Sequence, residues 1–337
     1  MIAHANRCAM IWNDDMPKRS FLSVFIAPLA LAFTFAPAGH AQVTFLPVGG
    51  DHISILVDGQ PFSDFFIGNA YPKPFLAPLR TASGLIVTRQ YPMKEVEGES
   101  RDHQHHRGLF IGYGSVSGVN FWENEFSYKT GNRGKIVLRQ VDDMKPGKRS
   151  GSITATFEWR SPQDALMIEE HRTMTFSGDR DLRTIDVDVT FTAKTEVKFD
   201  DTKEGFFAIR LADSMIEKNG GIMTNSEGAQ TEKNVWGKRA DWVDYDGSVD
   251  NAKAGIVIFD HPRNYNHPPR WHSRAYGLFA VNPFGLKDFD PKSDEAGGKR
   301  LGAGESLRFR YRIVIHPGDV PMKKVADWYA DYKKKSK

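Results

Sequence analysis

Strict alternation of apolar and polar residues constrains this chain more than any other feature. In Thr184–Thr192 (TIDVDVTFT), Ile185, Val187, Val189 and Phe191 fall on one face, and Asp186, Asp188 and Thr190 on the other. A period of two is that of a half-buried β-strand. Leu307–Ile315 (LRFRYRIVI) repeats it with Arg308, Arg310 and Arg312 facing out. Ser152–Trp159, Ile136–Val141, Ile53–Val57 and Gly255–Phe259 are further candidates. Strands with one wet face belong to antiparallel sheets, whereas parallel strands are apolar on both sides. A chain with about 15 such strands exceeds one open sheet and closes into two. The expected fold is therefore all-β, a large antiparallel β-sandwich. Helical spacing is convincing once, where Val325, Trp328, Tyr329 and Tyr332 follow i, i+3, i+4, i+7. This predicts a C-terminal amphipathic helix with Asp319 as its cap and Pro321 in its first turn.

The first 41 residues read as a leader. Lys18 and Arg19 precede an apolar run, Phe21–Phe35, and a small-residue ending at Ala41. That is the pattern of a secretory signal peptide, with cleavage expected near Ala41. Met16 is the better start, because Asp14 and Asp15 would otherwise enter a region that should be positive. The expected product is periplasmic or secreted. No repeat and no low-complexity linker interrupts the remainder, so 42–337 reads as a single sandwich domain.

Charge removes several function classes. Lys plus Arg number 45 and Asp plus Glu 42, a formal net charge of +3. No interior basic stripe is present, so nucleic acid is not an expected partner. A mean hydropathy of −0.46 excludes a multi-span membrane protein, and no stable insertion is expected after leader cleavage. The single cysteine, Cys8, lies in the leader, which excludes disulfides, a thiolate nucleophile and thiolate-bound zinc in the mature chain.

Polar residues cluster in five places. Arg101–Gly108 (RDHQHHRG) places three histidines before an apolar strand. If the segment is extended, His103 and His105 share a face and His106 points away. Imidazoles can act as general acid or base, or His103 and His105 can ligate a divalent metal. No metalloenzyme motif accompanies them, so no cofactor is predicted. In Asp260–His272, Trp271 offers a flat face to a sugar ring, while Arg270 and His272 supply directional hydrogen bonds. In Asp200–Ala212, a strand would align Glu204, Phe206, Ala208 and Arg210, and charge on such a face needs a partner or a cleft. Phe121–Glu125 and Trp236–Tyr245 interleave aromatics with charge, making Trp122, Glu123 and Trp236 ligand candidates. Arg80 is a further one. Neither a GxSxG elbow, a P-loop nor a GxGxxG turn occurs.

Taken in order, the stretches Asp102–Arg107, Gly114–Glu123, Asp201–Arg210, Trp236–Tyr245 and Arg270–Gly285 resemble motifs of the bacterial DUF6807 family, often labelled the methane oxygenase PmoA family. Gln104 stands where that pattern has Pro, and Ser115 where it has an acidic residue. The resemblance implies an exported β-sandwich protein from carbohydrate-degradation contexts and names no reaction. A mutarotase-type supersandwich would place the histidines in a cleft on a sheet face.

The expected function is that of an exported carbohydrate-active enzyme acting on a sugar or modified glycoside, as epimerase, lyase or hydrolase. Its substrate is a small molecule or oligosaccharide. His105, His106 and Glu204 are the acid/base candidates. Arg80, Asp102, His103, Arg107, Trp122, Glu123, Arg210, Trp236, Arg270, Trp271, His272 and Asn282 are the substrate-binding candidates. A noncatalytic sugar-binding protein and a histidine-metal enzyme are the alternatives. The sequence leaves the oligomeric state open.

Overall fold

The computed structural model describes residues 42–129 and 131–335; the leader expectation lies outside them. Two antiparallel sheets carry the fold. Across the first, nine strands run in the order Arg270–Trp271, Leu278–Asn282, Gly205–Arg210, Leu109–Tyr113, Phe75–Leu76, Gln60–Phe66, His52–Val57, Gln42–Val48 and Gly147–Lys148. Across the second, eight run in the order Ile222–Asn225, Trp242–Val249, Ala252–Asp260, Ser306–His316, Arg183–Ala193, Leu166–Gly178, Ser150–Arg160 and Lys135–Lys145. The short pair Val197–Phe199 and Lys299–Leu301 stands apart.

The alternation read from the sequence sets the layers. Ile185, Val187, Val189 and Phe191 are buried in the core between the sheets, against Trp159, Phe206 and Phe309. On the opposite face Asp186 accepts from Arg312 and Asp188 from Arg308 across the same strand pair. Pairs this exposed contribute about 0–1 kcal/mol each, so burial on the inner face holds the register. The C-terminal helix, Met322–Lys335, lays Val325, Tyr329 and Tyr332 on Trp242, Val257, Phe259 and Val314. It covers the outer face of the eight-stranded sheet. Asp319 is not its cap: the first turn closes on the Pro321 carbonyl, while the Asp319 N–H donates to Asp246.

The nine-stranded sheet also has an apolar outer face. Phe75, Ala77, Phe110, Trp122, Ala208, Leu278 and Ala280 form a second buried cluster there, edged by Phe66, Tyr71 and Tyr276. Ala208 sits between Phe110 and Ala280 in neighbouring strands. Two adjacent alanines make a shallow floor, over which the longer side chains of the flanking loops close. Arg210 shares this face, opposite Leu278, but Phe206 does not. Phe206 and Phe207 both enter the inner core, so the expected alternation begins only at Phe207.

A candidate site on the outer face of the nine-stranded sheet

Gly108 starts the site. Its φ is +48°, and a Cβ there would lie 2.1 Å from the Leu76 carbonyl, so only glycine lets the chain turn into Leu109–Tyr113. Before it, residues 101–107 form a turn rather than the extended run expected, with the His106 N–H donating to the His103 carbonyl at 3.0 Å. The three imidazoles therefore gather on one side. Their ring centroids lie 4.9 Å apart for His103 and His106, 4.2 Å for His105 and His106, and 5.7 Å for His103 and His105.

Arg89, wholly buried, holds this turn together. It donates to Asp102 at 2.5 Å, to the His103 carbonyl at 2.9 Å and to the His106 carbonyl at 3.4 Å. Arg210 donates to the same Asp102 oxygen at 2.8 Å. The other Asp102 oxygen accepts from His103 Nδ1 at 2.8 Å. Burial alone would raise the Asp102 carboxyl, but Arg210, the His103 bond and Arg89 together hold it below its ordinary value. It is thus a carboxylate, and His103 must carry its proton on Nδ1. That leaves the Nε2 lone pair without a hydrogen bond to the described residues, on a side chain 42 % exposed.

His105 and His106 differ. Burial, then the charge of Lys73, pushes His105 down to about 2. Burial and the neighbouring His105 and Arg210 drive His106 well below the usual imidazole range. Both are neutral and enclosed, with Trp122 edge-on to both rings. Tyr276 lies parallel to His103 at 5.1 Å and beneath the guanidiniums of Arg210 and Arg274, at 4.8 and 5.6 Å. His272 donates from Nδ1 to the Lys203 carbonyl at 2.7 Å, so its Nε2 lone pair is unpartnered. Burial lowers it to about 4, against the Glu204 carboxylate, whose field reaches His272 and Tyr276 alike.

The structure thus gathers Asp102, His103, His105, His106, Trp122 and Arg210 at one end of this face, while Glu204, at the other end of Gly205–Arg210, and His272 connect to them through the fields of Arg274 and Tyr276. Trp236 joins through Phe289, which packs on both it and His272. Glu123 is exposed nearby, its charge felt by Lys73 and Tyr128.

Other expectations are corrected. Trp271 is buried in the inter-sheet core with its Nε1 bonded to the Ala240 carbonyl, so it offers no ligand face. Asn282 is wholly buried, donating to the Thr202 and Lys203 carbonyls and accepting from Phe284 and Gly285; it staples two loops. Arg107 is committed to Glu125 by two hydrogen bonds, and Arg270 to the Gly237 carbonyl and Asp290. Arg80 faces Asp64 rather than the histidines.

Sequence reasoning missed Lys73, Arg89, Arg274 and Tyr276. Lys73 is fully buried, donates to the Trp122 carbonyl and Asn124, and is lowered by burial to about 7. Arg89 carried the signal that exposed Arg210, a charge in an apolar run (LIVTRQ). Nothing local marks Lys73.

The histidine-metal expectation also changes. Among the described residues one set of three His, Asp or Glu side chains converges closely enough for an ion, and it is Asp244, Asp246 and His316, on the other sheet. Gly255 makes room for it, since a Cβ there would lie 2.0 Å from the His316 ring. The set fits a cation poorly. The Gly318 N–H donates to His316 Nδ1, which fixes the ring proton on Nε2, where Asp244 takes it. No imidazole lone pair remains for a metal. Burial and Asp244 instead raise Asp246 to about 7. The folded chain then keeps a proton that the unfolded chain releases near pH 4, so stability falls as pH rises from about 4 to 7. Asp246→Asn should raise the melting temperature more at pH 8 than at pH 4, measured by calorimetry; an equal change at both would refute the assignment.

A model of the family of unknown function DUF6807 matches residues 52–330. The chain belongs to this family. The DUF6807 match spans every residue of the outer-face site. No curated protein matches the sequence. Among solved structures, the galactosidase domain of the α-galactosidase–sucrose kinase AgaSK overlaps at 8% identity and TM-score 0.40, covering 82% of this chain and 42% of that one. An α-galactosidase from Lactobacillus brevis gives 9%, 0.40, 82% and 40%. A galactose mutarotase related enzyme from Lactobacillus acidophilus gives 9%, 0.33, 82% and 98%. The chain spans about two-fifths of the two galactosidases' length. Overlaps this loose leave the chemistry to be read from the chain's own residues.

Proposed function

We propose that this protein is an exported carbohydrate-active enzyme that moves a proton on a sugar or modified glycoside. The observation that carries this is the Asp102–His103 pair. A carboxylate fixed by two buried arginines holds one imidazole nitrogen protonated and leaves the other nitrogen's lone pair free on a partly exposed side chain. His272, fixed through Nδ1 by the Lys203 carbonyl and fully buried, is part of the neutral wall beside Glu204. His103 and the part-exposed Glu204 are the two groups available for acid/base chemistry, in which one takes a proton and another returns it. His105 and His106 then serve as neutral wall rather than as the acid/base pair. Tyr276 supplies an aromatic surface next to His103.

The test is proton NMR in D2O on the purified protein with a panel of hexoses, uronic acids and disaccharides. Deuterium entering a carbon position, anomeric interconversion or bond cleavage is the expected result, slowed at least a hundredfold (~10²) in His103→Gln. Binding of sugars without any of these changes would favour the noncatalytic reading and overturn the enzyme. Export is part of the proposal, and a mature amino terminus near Gln42 checks it.

A further inference from the structure

We infer that the substrate carries a carboxylate, so that the site selects an acidic sugar over its neutral parent. This rests on the proposed sugar-active function and adds its substrate class. The argument comes from which buried polar atoms lack partners. Arg210 is 1% exposed, and its Nε and Nη1 have no hydrogen-bond partner. His106, within the field of Arg210, has both ring nitrogens unpartnered, and Trp122, 5.4 Å from the His106 ring, has its Nε1 unpartnered. Three of these five nitrogens are obligate N–H donors, and a neutral His106 adds a fourth donor and one acceptor. A buried donor without an acceptor is costly, and more so when charged, so a set this unbalanced calls for an acceptor-rich group. A neutral sugar brings hydroxyls, each of which also needs an acceptor. A carboxylate brings acceptors alone.

The charged neighbours do not satisfy those nitrogens. Arg210 uses only Nη2, on Asp102 and Ser100; Arg89 shares the same Asp102 oxygen, and Asp213, whose charge also reaches Arg210, is bonded to Ser100. Arg274 pairs with Glu232, and Lys203 with Glu204. Reach is short: the Asp102 carboxylate bonded to Arg210 is itself 42 % exposed, so the guanidinium lies one carboxylate below solvent.

The test measures binding of D-glucuronate and D-galacturonate against D-glucose, D-galactose and galactose 6-phosphate, by calorimetry and saturation-transfer NMR. The uronates should bind about tenfold tighter or more than their parent hexoses. Arg210→Gln should bring that ratio to within about threefold. Trp122→Phe, which deletes one N–H and keeps an aromatic ring, should lower it partway and covers the case in which Arg210→Gln does not fold. Equal affinity for uronates and hexoses overturns the carboxylate while leaving the sugar reading intact. Tighter binding of the phosphate ester overturns it in favour of a tetrahedral anion. Failure of every sugar, acidic or neutral, to bind overturns the proposed function itself.

Discussion

Turnover by His103→Gln is expected to fall by about 10²–10⁴, the range typical of losing a positioned general base. Glutamine can still donate to Asp102, so the turn should persist and substrate affinity should change little. His105→Gln should cost less than about tenfold, because that imidazole is enclosed, neutral and bonded to Tyr128. Steady-state kinetics with the substrate found by NMR separates the two. Equal losses at both positions would show that the cluster acts only as a packed unit and would remove His103 from the chemistry.

The second large effect concerns stability. Arg107 and Glu125 are 8% and 5% exposed, joined by two hydrogen bonds, with Tyr71 against the guanidinium at 4.7 Å. Glu125→Ala leaves that charge buried and unpaired, which should destabilise the fold by about 3–5 kcal/mol in urea denaturation. Replacing both partners with apolar residues (Arg107→Met with Glu125→Leu) should recover most of the loss, because no orphaned charge remains. A loss below about 1 kcal/mol in the single variant would mean that water reaches the pair.

What could be read in the sequence follows from the range of the interactions. Alternation is local, so the strands around Ile185 and Phe309, the sandwich and the helix face of Val325, Tyr329 and Tyr332 were legible. So was the meeting of Arg210 with Asp102 beside the histidines, because charge inside strand-like runs has few other homes. Direction of view was not legible. Trp271 ends the strand Arg270–Trp271 and His272 follows it, so successive side chains part to opposite faces; only the pairing of Trp271 with Val281 settles which goes inward. The imidazole turn was misjudged as extended because its shape comes from Arg89, twelve or more residues upstream. Lys73 and Asn124 meet across 51 positions, which no window on the chain can show.

The anchoring of residues 100–106 by Arg89, Arg210 and Asp213 has a thermodynamic corollary. Little conformational entropy remains to be lost when a guest arrives, so association should be fast and nearly rigid-body. A rigid mould of this kind tells one epimer from another by fit, and tolerance for differently shaped rings should be correspondingly narrow.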